Sequence, residues 1–152
     1  MKKTFVLVVL FVLPIVAYLF FASGVNNFGR LPILTEGILE LENVPENVKF
    51  KDKITILGFL GNNVEQRSGN AFNLNQKIYK RFFEFKDFQF VMVLPKGTED
   101  KVVELKKELS NLADTQKWVF VYQEPEAISK IFKSLGTDFQ LDNDLGTSYV
   151  FI

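Results

Sequence analysis

The chain has 152 residues, 47% hydrophobic and 24% charged, with lysine plus arginine equal to aspartate plus glutamate at 18 each. That is the balance of one globular domain of about 100–150 residues, and it offers no excess of positive charge to suggest nucleic acid as a partner. Cysteine and histidine are both missing. This excludes disulfides, thiolate nucleophiles, Cys/His metal sites and a Ser-His-Asp triad, so no cofactor and no metal are expected.

The first segment, MKKTFVLVVLFVLPIVAYLFFASG, is apolar from Phe5 to Ala22 apart from Pro14 and Tyr18. As a helix that run reaches about 27 Å, close to the roughly 30 Å of a bilayer core. Lys2 and Lys3 place the N-terminus on the cytoplasmic side and the rest of the chain on the outer side. Ala22-Ser23-Gly24 imitates a signal-peptidase site, but a cleaved leader needs an apolar stretch of only about 7–15 residues. The length, and the bulky Phe20-Phe21 just before the site, favour an uncleaved single-pass anchor; secretion after cleavage is the alternative. Residues 1–24 are therefore read as the anchor and 25–52 as a linker with a short edge hairpin, Pro45 arguing against a central strand. Residues 53–152 are read as the folded domain.

From Ile54 a regular alternation begins. Ile54–Leu60 is an apolar run suited to a strand covered on both faces. Asn70 is a candidate cap for a helix whose stripe is Ala71, Leu74, Ile78, Phe82 and Phe85. Phe88–Leu94 predicts a second strand, stopped by Pro95. Thr98 is a candidate cap for the next helix, with Glu99 and Asp100 at its positive end and Val102, Leu105, Leu109 and Leu112 as its apolar stripe. Trp118–Tyr122 predicts a third strand, with Trp118 in the core. A helix follows with Pro125 at its first position, Ile128, Ile131, Phe132 and Leu135 buried, and Gly136 as a left-handed stop. After a polar loop over Asp138–Gly146, Thr147–Ile152 predicts a fourth strand. The order βαβαβαβ means an α/β layered domain. Because the last segment is an apolar strand, a continuation of the protein beyond Ile152 is expected.

The turn after the first strand is where α/β domains commonly place reactive groups. Here it carries Gly61, Asn62, Asn63, Val64, Glu65, Gln66 and Arg67. These side chains suit either a polar surface for a peptide or protein partner, or a hydrophilic loop that merely ends the strand. Glu65 and Arg67 lack a third group for acid–base work, and no phosphate-binding or dinucleotide fingerprint is present.

Three stretches, KITILGFLGNN, KWVFVYQEPEAISKIF and DNDLGTSYVFI, together with the N-terminal anchor, resemble the SCO/SenC branch of the thioredoxin-like fold. These are membrane-tethered copper chaperones and thiol reductases linked to cytochrome oxidase assembly. The resemblance implies a thioredoxin-like domain, and it implies a respiratory-complex subunit or another envelope protein as partner. The family's Cys-x-x-x-Cys falls on Asn62 and Gln66, to within one position, and its histidine on Leu145. None of these supplies a thiolate or an imidazole, so neither copper(I) transfer nor disulfide exchange is expected. What remains is a non-catalytic binding or assembly-helper module, with Gly61, Asn63, Glu65 and Arg67 as its partner-binding turn. The alternative is a thiol oxidoreductase, a peroxiredoxin-like enzyme or a copper chaperone whose reactive residues lie in a missing C-terminal part.

Overall fold

The computed structural model describes residues 2–23, 33–42 and 44–152. The chain divides into two units, one ending at Ile33 and the other spanning Leu34–Ile152. The first unit holds α1 (Lys2–Ala22), which runs through Pro14 without a break. It buries none of its side chains and is long and apolar enough to cross a membrane. At about 1.5 Å per residue it measures roughly 31 Å, the thickness of a hydrocarbon core.

The second unit contains β1 (Ile54–Leu60), α2 (Val64–Leu74), α3 (Lys80–Phe82), β2 (Phe88–Pro95), α4 (Glu99–Leu112), β3 (Trp118–Gln123), α5 (Pro125–Ser134) and β4 (Gly146–Phe151). The strands form one mixed sheet in the order β3-β2-β1-β4. β1, β2 and β3 are parallel, with Ile54 opposite Phe88 and Phe90 opposite Trp118. β4 is antiparallel to β1, with Leu57 opposite Phe151 and Leu60 opposite Gly146.

Side chains alternate across the sheet as a strand's two-residue period requires. Ile56, Leu60, Phe90, Met92 and Leu94 meet Val64 and Ala71 of α2 and Val102, Leu105 and Leu109 of α4 on one face. Leu57, Phe59, Val91 and Val93 meet Ile128, Ile131 and Phe132 of α5 on the other. Each valine, leucine, isoleucine, phenylalanine or methionine among them contributes about 1.5–3 kcal/mol by leaving water. β2 is buried along its whole length, which is why its sequence shows no polar alternation. Trp118 lies in the core, stacked on Phe90 at 4.7 Å. Pro125 takes the first position of α5, and Gly136 adopts a left-handed φ of 59° just past its end.

Several expectations are corrected. The helix after β1 starts at Val64 and is capped by Asn63, not Asn70. Its buried side is Val64, Arg67, Ala71, Asn75 and Tyr79, while Phe82 and Phe85 are exposed. The cause is a π-helical turn over Asn75–Tyr79. Steps of four residues drift around an α-helix, and the wider turn brings Tyr79 back beneath Ala71 at the cost of rotating the following phenylalanines outward.

No strand of the expected edge hairpin is present among the described residues. Among the described residues of 33–52 the regular element is one 3₁₀ turn, Glu46–Val48. Backbone groups there are satisfied by side chains instead of a ladder. Glu40 accepts from the Phe50 and Lys51 N–H groups at 2.9 and 3.0 Å, and Gln89 donates to the Val48 and Lys49 carbonyls at 3.2 and 3.1 Å. Nor is this stretch a free linker, since Leu41 and Val48 are buried in the α5-side core. Residues 25–32 lie outside the described part of the chain.

Candidate functional site

From β1 the chain passes to β2 and β3 on one side, then crosses the α5 face and returns as β4 on the other side. The carboxyl end of β1 is thus the point where the strand order reverses, and in open α/β sheets that point leaves a crevice for a ligand. The segment Gly61–Arg67 lies there. Gly61 makes the exit from β1 with φ 68°. Asn63 then caps α2: its Oδ1 accepts from the Gln66 N–H at 3.4 Å and its Nδ2 donates to Gln66 Oε1 at 3.3 Å. Asn62, Asn63, Glu65 and Gln66 are exposed around this first turn. Lys101 of α4 reaches across and donates to the Asn62 carbonyl at 2.9 Å.

Arg67 differs from the others. It occupies an apolar position of the helix, three after Val64 and four before Ala71, and only 5% of it is exposed. Its guanidinium is held by the loop before β4. Nη1 donates to Asp144 Oδ2 at 2.6 Å and to the Leu60 carbonyl at 3.1 Å, while Nη2 donates to Asp144 Oδ1 at 3.0 Å and Asp142 Oδ2 at 2.5 Å. The two-pronged bond to Asp144 is the geometry in which a planar guanidinium binds a carboxylate best.

The loop is shaped to receive this group. The Asn62 N–H donates to the Asp144 carbonyl at 2.8 Å and the Asp142 N–H to the Gly146 carbonyl at 2.8 Å. Leu145 takes a left-handed φ of 63°, and its side chain packs against the α5-side core. Asp144 is three-quarters buried. Its hydrogen bond to Arg67 holds its carboxyl below the usual range, helped by the backbone N–H groups of Gly146 and Asn63. The same bond raises Arg67 further above its ordinary value. A charge buried this deeply persists because it is paired.

The expected site residues are therefore brought together only in part. Asn62, Asn63, Glu65 and Gln66 share an exposed rim, but Arg67 is turned inward and Leu145 faces another part of the core. Asp142, Asp144 and Gly146, which complete the cluster, were not among the candidates. One sequence signal points to them: an arginine on an apolar helical stripe requires an acidic partner, and DND ahead of a strand supplies two carboxylates.

Chemically, the buried polar groups at the carboxyl end of β1 are engaged in the chain's own ion pair. Two surface grooves lie elsewhere among the described residues. One is lined by Lys106, Ser110, Thr115, Trp118 and Phe120, and the other by Ile38, Phe50, Leu57, Leu135 and Phe151. No protein-family model, curated protein or solved structure matches the chain.

Proposed function

We propose that the chain is a membrane-tethered, redox-inactive, thioredoxin-like module of SCO/SenC type. It acts by binding, as an assembly helper for a respiratory-complex subunit or another envelope protein. α1 anchors it with the N-terminus in the cytoplasm and the folded unit on the outer side. The observation that carries the reading is the ion pair of Arg67 with Asp144. It joins the β1–α2 turn to the loop before β4 and engages the buried polar groups where an α/β domain of this layout would otherwise do chemistry. The exposed rim of Asn62, Asn63, Glu65 and Gln66 then stands on a fixed base, which lowers the entropy lost when a partner docks on it. Further support comes from the mixed sheet, whose antiparallel β4 lies beside the strand that leads into this turn.

The test is site-specific photocrosslinking in the full chain, with a benzophenone amino acid at Gln66 and, as control, at Glu126 on α5. A discrete adduct at Gln66, absent at Glu126 and lost in N62A/E65A, is expected. The same adducts from both positions would contradict the reading. Stoichiometric copper(I) binding that survives a competing chelator, or reduction of insulin disulfides, would contradict it as well.

A further inference from the structure

The amino-terminal ends of β1 and β2 lie at the opposite end of the sheet from Arg67. Three apolar side chains stand in solvent there: Ile54 is 55% exposed, Phe82 44% and Phe85 60%. The rings of Phe82 and Phe85 are 6.2 Å apart, and Phe82 is 6.1 Å from Phe88. Ile54 is tied to the same corner by its N–H, which donates to the Asp87 carbonyl at 2.7 Å. The π-helical turn explains the exposure, because it keeps Tyr79 in the core and turns the next phenylalanines out. An exposed aromatic pair at one corner is a surface that a binding partner can cover.

The charge around the patch says what. Although the chain is neutral overall, residues 77–86 hold Lys77, Lys80, Arg81 and Lys86 against the single acid Glu84. The ammonium of Lys117 joins them, donating to the Phe85 carbonyl. Lys53 lies 3.9 Å from Asp87 and offsets that carboxylate. Exposed aromatic side chains on a predominantly basic segment complement a surface that is apolar beneath and anionic above, which is the surface of a bilayer containing anionic lipid. A second copy of the patch would bring like charges together.

We propose that this patch rests on the anionic headgroup layer of a membrane, with Phe82 and Phe85 in the interface and Arg81, Lys86 and Lys117 on the phosphates. The proposal uses the reading of α1 as an anchor in one respect: a tethered domain meets the bilayer at high effective concentration, so a weak patch suffices. Docking this end would leave the Asn62–Gln66 rim, at the other end of the sheet, free for a partner.

The cysteine-free chain allows a clean test. The full chain is reconstituted in vesicles of phosphatidylcholine alone or mixed with phosphatidylglycerol, carrying a fluorophore on E84C or, as control, on E104C of α4. Quenching by brominated lipid is read at each position. Strong quenching at position 84 is expected in the anionic vesicles only. It should be relieved by high salt, and the docked-to-undocked ratio should fall about fivefold in R81A and again in K86A. Quenching at position 84 no greater than at position 104 would overturn the proposal. Flotation of the same vesicles in high salt reads the anchor separately. A chain that floats without quenching at 84 loses the patch and keeps the anchor. One that fails to float but is quenched at low salt keeps the patch and loses the anchor.

Discussion

Arg67 and Gly146 are in such close contact that a Cβ on the glycine would stand 2.6 Å from the guanidinium carbon and 2.7 Å from Nη1. The ion pair with Asp144 therefore depends on a residue that bears no functional group. It depends equally on Gly61, where a Cβ would stand 2.6 Å from the Asp144 carbonyl oxygen and 2.7 Å from the Gly146 nitrogen.

A series of alanine substitutions separates these roles. G146A should lower stability by about 1–3 kcal/mol, because the guanidinium must shift to make room. G61A should cost at least as much, since its left-handed φ adds backbone strain of about 1–3 kcal/mol to the clash. G69A is the control. It lies in α2, where a Cβ meets nothing within 4 Å, and it should stabilise by about 0.5–1 kcal/mol. Urea unfolding in detergent micelles, followed through the fluorescence of the single buried Trp118, gives all three.

The acid limb of stability should carry the signature of Asp144. Its carboxyl is held below the ordinary value by Arg67. The stabilisation it gives is thus complete above about pH 4, the unfolded value, and is lost as the pH falls through the lower folded value. The stability difference between the wild-type chain and D144N should be constant from neutral pH to about pH 5 and shrink below pH 4. A difference that grows on acidification would be the wrong sign.

Much of the fold was legible in the sequence, because strands buried on both faces and helices with one apolar stripe leave strong periodic signals. Ile54–Leu60, Phe88–Pro95 and Trp118–Gln123 all lie where those signals put them. The start of the helix after β1 escapes a pattern reading because its buried side includes Arg67 and Asn75, residues that a hydrophobic pattern scores as solvent-facing. The π-helical turn then takes Phe82 and Phe85 off the period, whereas Leu74 and Ile78 keep to it and pack against the core. The candidate site was half legible. Its exposed rim comes from consecutive residues, whereas its buried centre joins Arg67 to Asp144 across 77 positions of sequence. Local pattern carries no information about a pairing at that distance. The basic corner was hidden for a similar reason, because overall neutrality averages it away.

The state of the N-terminal segment is open to direct measurement. If α1 is an uncleaved anchor, the chain should remain in the membrane fraction through alkaline carbonate extraction. Its intact mass should then include Met1–Ala22. A soluble product beginning near Gly24 would mean a cleaved leader.

The pairing at the carboxyl end of β1 is tested most directly by a double-mutant cycle of R67M and D144A, with unfolding free energies measured at neutral pH. The two side chains are 6% and 25% exposed, while the second carboxylate, Asp142, is 65% exposed and replaces little of the lost pairing. A coupling of about 2–3 kcal/mol is expected, with each single change destabilising and the double change costing far less than their sum. Additive effects, with coupling near zero, would mean that Arg67 and Asp144 do not hold the turn and the loop together.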